Sequence, residues 1–92
     1  MLSPISAKAA FLQILSNEPG YGSDLADKIK KLTGGSIDFG VGSVYPAIRD
    51  LEKDGLIIRT ASKGRANLYK VTVKGKKIAD DNKKAIAVLF GI

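Results

Sequence analysis

The stretch Gly42-Ser43-Val44-Tyr45-Pro46-Ala47-Ile48-Arg49-Asp50-Leu51-Glu52-Lys53-Asp54-Gly55-Leu56 reads as one short helix with a start, two faces and a stop. The helix is expected over 43–54. Ser43 or Gly42 serves as its N-cap, and Pro46 is expected in the first turn, where a missing N–H costs nothing. Gly55 stands just past the end, where a left-handed residue is favoured. Val44, Ile48 and Leu51 recur at helical spacing with Ala47 beside them, which makes an apolar stripe. The opposite face carries Ser43, Tyr45, Arg49, Asp50 and Lys53. A helix of about three turns is not stable alone in water, so the stripe must dock on the rest of the chain. The hydroxyl, phenol and guanidinium left outside are then available to a partner.

The charge of the chain suggests which partner. Its net charge is +6, and the segment from Arg59 to Lys77 holds seven basic residues and no acid. The other eight basic residues and the nine acids sum to −1, so this one segment carries the whole excess. Such a bias either solubilises a surface or offers it to a polyanion, above all nucleic acid. The chain has neither cysteine nor histidine. That removes disulfides, thiolate metal sites, the commonest general base and the commonest metal ligand. No cofactor is expected. No apolar run approaches the roughly 20 residues of a membrane span, and the N-terminus lacks a signal-peptide core. A cytoplasmic protein without membrane attachment is the expectation.

Upstream, Ser3-Pro4 is a plausible cap for a first helix containing Ala9, Phe11, Leu12, Ile14 and Leu15, ending near Ser16-Asn17. Its circumference is mostly apolar, so it lies in a core or under a second chain. A second helix begins around 21–23, with Leu25, Ile29 and Leu32 on its buried face. Lys28, Lys30 and Lys31 suit its C-terminal end, and Thr33-Gly34-Gly35 stops it. Ile37-Asp38-Phe39 is a candidate short strand with Asp38 outward. Gly40-Val41-Gly42 lacks the third glycine and the lysine of a phosphate loop, so its glycines are read as a sharp entry into the third helix.

Downstream, Leu56–Thr60 and Leu68–Val73 read as strands. The loop 61–67 between them displays Lys63 and Arg65 around Gly64. Thr72 caps a last helix from about Val73 to Phe90, whose first turn Gly75 weakens. The end of the chain, Ala85 to Ile92, has no polar side chain. An apolar terminus of this kind requires cover. Ile78, Ala85, Ile86, Leu89 and Phe90 share one side of the helix with Asn82 in the seam, where it sets register in a helical interface or faces solvent. Exchange of these surfaces, with Phe11 and Leu12 of the first helix, between two copies is the preferred arrangement.

Three helices, a two-stranded basic hairpin and a C-terminal helix make a mainly α chain with a small β-hairpin (α+β), in the order of a winged helix-turn-helix. The expected division is 1–73 for the DNA-binding domain and 74–92 for the dimerisation helix, within one unit. The third helix then offers its N-terminal face to the major groove of double-stranded DNA, and the wing's cations meet phosphates. The residues expected at DNA are Ser43, Tyr45, Pro46, Arg49, Lys53, Lys63, Arg65 and Lys70.

Several of these residues also resemble the PadR family of transcriptional regulators, in its short form with a single C-terminal helix. Gly42-Ser43-Val44-Tyr45-Pro46-Ala47-Ile48, then Leu51-Glu52 and Gly55-Leu56-Ile57, are similar to the family's third helix and its exit. Ile14-Leu15, Pro19, Gly22 and Leu25 match upstream, and Leu68-Tyr69-Lys70-Val71-Thr72 with Gly75 match downstream. The resemblance implies a homodimeric DNA-binding repressor whose dimer is held by the C-terminal and first helices. The chain departs from the family at Ser23, where tyrosine is frequent, and at Tyr21, where histidine is. Some relatives hold planar drugs with tryptophan. This chain has none, so a small-molecule effector has no support.

Two further functions compete with a sequence-specific regulator. A winged-helix module could bind another protein through Tyr45 and the wing, but protein interfaces are depleted in lysine. A DNA-binding protein of a plasmid or virus that does not repress would share every feature above. An enzyme is not expected, because no serine has a histidine partner and no carboxylate pair has acid–base spacing.

Overall fold

A computed structural model describes residues 6–64 and 66–91. In chain order its elements are α1 (Ala7–Asn17), β1 (Gly20–Tyr21), a 3-10 turn (Gly22–Asp24), α2 (Leu25–Leu32), α3 (Val41–Lys53), β2 (Ile57–Lys63), β3 (Ala66–Val71) and α4 (Val73–Phe90). The three strands form one antiparallel sheet in the order β1-β3-β2. Four helices on one small sheet give the α+β winged helix-turn-helix, with a third strand where two were expected. Gly20 and Tyr21 supply it by pairing with Tyr69 and Leu68. Two residues between helices carry no alternation to read, so this strand exists only because β3 offers it an edge.

The core explains the placement of each helix. Phe11 and Leu15 of α1, Leu25 of α2, Leu51 of α3 and Ile57 of β2 are almost wholly buried. Each such side chain contributes about 1.5–3 kcal/mol on leaving water. Val44, Ala47, Ile48 and Leu51 are all buried, so the stripe of α3 docks as its spacing predicts. The helix is stopped by Gly55 at φ +73°, a backbone region that L side chains rarely adopt. The N–H of Gly55 reaches the Glu52 carbonyl at 3.0 Å and that of Leu56 reaches the Leu51 carbonyl at 2.9 Å, which satisfies the orphan carbonyls of the last turn. The Thr33-Gly34-Gly35 stop of α2 uses the same pair of bonds, to Lys31 and Lys30.

The start of α3 departs from expectation. Gly40, in extended conformation, is the N-cap, and the helix is already wound at Val41, two residues before Ser43. Phe39 packs edge-on against Phe11, ring centroids 5.6 Å apart, and this contact fixes the chain just ahead of the helix. Pro46 therefore lies inside the helix, beyond its first turn. It leaves the Gly42 carbonyl without its intrahelical donor. Ile37 and Phe39 do pack on the core with Asp38 exposed, but the segment is no strand. It is held instead by Thr33, whose hydroxyl accepts the Ile37 N–H at 3.1 Å and donates to the Ile29 carbonyl at 2.8 Å.

At the ends of the chain, α1 is capped by Ser6, whose hydroxyl accepts the Ala9 N–H at 3.1 Å. Ser3-Pro4 lies outside the described residues. Thr72 caps α4 as expected, accepting the Gly75 N–H at 3.0 Å and donating to the Gly55 carbonyl at 2.7 Å. Gly75 has a role that its helix propensity conceals. It is buried, and a Cβ there would stand 2.0 Å from the Leu56 carbonyl oxygen. With Ala79 also buried, the first half of α4 belongs to the same core as the other helices.

Candidate nucleic-acid interface

The face of α3 turned away from the core carries Ser43, Tyr45, Pro46, Arg49, Asp50 and Lys53, all exposed. Tyr45 keeps 57% of its surface in water. Local geometry accounts for the arrangement. Burying positions 44, 47, 48 and 51 of one helix turns 43, 45, 46, 49 and 53 outward. Ser43 is on the first turn, and its N–H bonds the Gly40 carbonyl at 2.9 Å.

The cations divide into two groups. On and beside α2, Lys28 pairs with Glu18, Lys30 lies 3.5 Å from Asp38, and Lys31 lies 3.0 Å from Asp27. The hydrogen bond from Lys28 holds the Glu18 carboxyl below its usual range, and the one to Asp27 raises Lys31. These lysines are engaged within the chain. Among the described residues, Arg49, Lys53, Arg59, Lys63 and Lys70 have no carboxylate within ion-pair distance. Arg49 thus forms no pair with Asp50 or Glu52. Among the described residues, its charge and those of Arg59, Lys63 and Lys70 remain unneutralised.

The wing is longer than the sequence suggests. Its strands run on to the pair Lys63–Ala66, with Gly64 at φ +61° just past Lys63. Arg65 lies outside the described residues. Residues directly opposite in an antiparallel pair share a face. Ile57, Arg59 and Ser62 therefore share one face with Val71, Tyr69 and Asn67, and the Ser62 hydroxyl bonds the Asn67 side chain at 3.0 Å. Ile58, Ala61 and Lys63 share the other face with Lys70, Leu68 and Ala66. Lys63 and Lys70 are thus brought onto one face, and Arg59 lies on the other. Arg59 opens the acid-free run that the sequence offers to a polyanion, although it is not among the residues singled out for DNA, and the structure leaves it exposed.

The residues expected at a dimer interface separate into three sets. Phe11 and Leu12 retain 0% and 2% exposure within this single chain, so they have no surface left to offer a second copy. The apolar circumference of α1 is covered by α2, α3, α4 and β3 of its own chain. Ile78 packs on the core, and Asn82 lines a shallow cleft with Ser6, Lys8 and Leu12. Beyond them Ala85, Val88, Leu89 and Phe90 stand exposed, and Ile86 is half-buried. Val88 and Leu89 keep 82% and 80% of their surface in water. No group of residues able to hold a metal ion occurs among the described residues, and no helix among them is long and apolar enough to cross a membrane.

The model of the transcriptional regulator PadR-like family matches residues 11–81, which span α1 through the first half of α4. The chain belongs to that family. As a PadR-like protein it is a DNA-binding transcriptional regulator. Solved structures share the fold. RosR of H. salinarum is 24% identical at a TM-score of 0.76, with 97% of this chain and 77% of that one covered. A transcriptional regulator from Clostridium thermocellum is 20% identical at 0.81, covering 92% and 84%. A PadR-like transcription factor from B. fragilis is 23% identical at 0.75, covering 91% and 82%. No curated protein matches the chain in sequence.

Proposed function

We propose that this PadR-like chain is a homodimeric repressor acting in the cytoplasm, with 1–73 as its DNA-binding domain and 74–92 as its dimerisation helix. The first turns of α3 enter the major groove, where Ser43, Tyr45 and Arg49 meet base edges and backbone while Pro46 and Lys53 flank them. Lys63, Arg65 and Lys70 of the wing meet phosphates, which supply most of the affinity and make it salt-dependent. The observation that carries this reading is the two-sided α3. Its buried stripe fixes the helix on the core, and the exposed side holds an arginine with no carboxylate partner among the described residues. Dimerisation rests on the exposed Val88, Leu89 and Phe90, an apolar end that a second copy would cover.

The test begins by selecting bound duplexes from a random pool. The selected and scrambled duplexes are then titrated with wild type and Arg49→Ala at one salt concentration. An arginine on a guanine edge is worth about 1–3 kcal/mol of discrimination, so the ratio of the two affinities should fall about 5- to 150-fold. A ratio equal to wild type, in a variant with normal folding, would remove Arg49 from the reading set.

A further inference from the structure

The hairpin is interrupted at one point. Arg59 is opposite Tyr69 and Ala61 is opposite Leu68, so Thr60 is an extra residue in β2, a β-bulge. The orphaned position is pinned, because the Thr60 hydroxyl donates to the Leu68 carbonyl at 3.3 Å. Burial differs between the two ends of the hairpin. On the body side of the bulge, Ile57 and Tyr69 are buried at 1% and 6% exposure. On the far side, every described residue of β2 is exposed. The base of the hairpin is thus held in the core through Ile57 and Tyr69, while beyond the bulge β2 lies open to solvent and Ala66, Asn67 and Leu68 opposite it are half-buried. A bulge bends its strand and raises the local right-handed twist, which redirects everything beyond it. Here that is Lys63 and the turn. Lys63 and Lys70 share a face, and with Ala66 opposite Lys63 they stand about 14 Å apart along the ladder, at about 3.4 Å per residue.

We infer that Thr60 is a positioning residue for DNA binding: the bulge it creates, held by its bond to the Leu68 carbonyl, aims the outer half of the wing so that Lys63 reaches a phosphate. This rests on the DNA-binding reading above. Thr60 carries no charge and need not touch DNA itself. Its contribution passes through the direction of the strand.

Deleting Thr60 isolates that direction. The remaining pairs, Arg59–Tyr69, Ala61–Leu68, Ser62–Asn67 and Lys63–Ala66, then run without interruption. Every side chain stays on its present face and every charge stays in the chain. Only the bend is lost. Binding to a scrambled duplex of two helical turns is measured across a salt series for wild type, the deletion, Lys63→Ala and the double variant. Each phosphate contact contributes about 0.9 to the slope of log affinity against log salt. The deletion should lower the slope by about two, one contact for each protomer of the dimer, and Lys63→Ala should lower the wild-type slope equally but change nothing further in the deletion. A deletion variant that folds, by circular dichroism, and keeps the wild-type slope overturns the inference.

If the deletion does not fold, Thr60→Val decides. It keeps chain length and strand propensity and removes only the hydroxyl. It should weaken duplex binding about threefold or more in wild type and leave Lys63→Ala unaffected, with Thr60→Ser restoring affinity. Additive effects of Thr60→Val and Lys63→Ala overturn the inference. A wild-type chain that binds no duplex at any salt overturns the DNA-binding reading and this inference with it, and is distinguishable from both other outcomes.

Discussion

Gly75→Ala sets helix propensity against packing, and the structure predicts the winner. In a helix interior alanine is favoured over glycine by about 1 kcal/mol, so propensity alone forecasts a more stable protein. The added Cβ, however, would stand 2.0 Å from the Leu56 carbonyl oxygen, 2.9 Å from its carbon and 2.8 Å from Val71 Cγ2. Two of these atoms are backbone, and the oxygen cannot retreat freely because it accepts the Thr72 N–H at 3.0 Å. Relief requires α4 to move away from Leu56, which also strains the Thr72 cap. Overpacking of this kind costs about 1–3 kcal/mol or more, and a compromised cap about 1 kcal/mol. After subtracting the propensity gain, the variant should be less stable by about 2 kcal/mol. Unfolding entropy of about 0.2 kcal/mol per degree for a chain of this length makes that a fall in Tm of about 10 °C. Thermal melts by circular dichroism, at one protein concentration because an oligomer's Tm depends on it, measure the change. Gly42→Ala is the matched control. It is also helical, nothing stands within 4 Å of its added Cβ, and it should hold or raise Tm. A Gly75→Ala protein that melts at or above the wild-type temperature would refute the close approach of α4 to Leu56.

Two more outcomes are expected. Replacing Leu89 and Phe90, both exposed, with glutamate should leave the fold intact and convert a dimer to monomer in sedimentation. A wild-type chain that sediments as a monomer at micromolar concentration would remove the dimer from the proposal. The Lys8–Asp54 pair at 2.6 Å ties α1 to the end of α3 and should show in acid. The hydrogen bond from Lys8 holds the Asp54 carboxyl below its usual range, and the same bond raises Lys8. The Asp54 contribution is therefore present above the unfolded pKa of about 3.9 and lost as pH falls through the lower folded value. The Lys8 contribution persists until pH rises above about 10.4. Denaturant midpoints of wild type and Lys8→Met should differ by a constant amount between about pH 5 and 9 and converge in strong acid. A difference that grows as pH falls would contradict that sign.

What the sequence determined by itself were the features written within a few residues of each other. The stripe Val44, Ala47, Ile48 and Leu51, the stop at Gly55, the Thr72 cap and the acid-free run from Arg59 to Lys77 depend on helical period, backbone freedom and charge, all of which are local. The exposed side of α3 followed once the stripe was known, because burying one face of a helix defines the other. The third helix and the family resemblance were legible on those grounds.

Tertiary structure decided whatever depends on residues far apart in the chain. Phe11 and Leu12 look like interface residues when α1 is viewed alone, yet α2, α3, α4 and β3 cover them. Apolarity around a helix says that it must be covered, not by which chain. Gly40 became the cap because Phe39 meets Phe11 across the core. Gly20 and Tyr21 became a strand because β3 had a free edge. The bulge at Thr60 arises from a count of residues on two strands that must meet the same turn, a quantity neither strand contains alone. Gly75 reads as a weak helical residue until Leu56, nineteen positions earlier, is brought against it. In each case the deciding contact joins segments whose separation in sequence carries no periodic signal, so only packing could supply it.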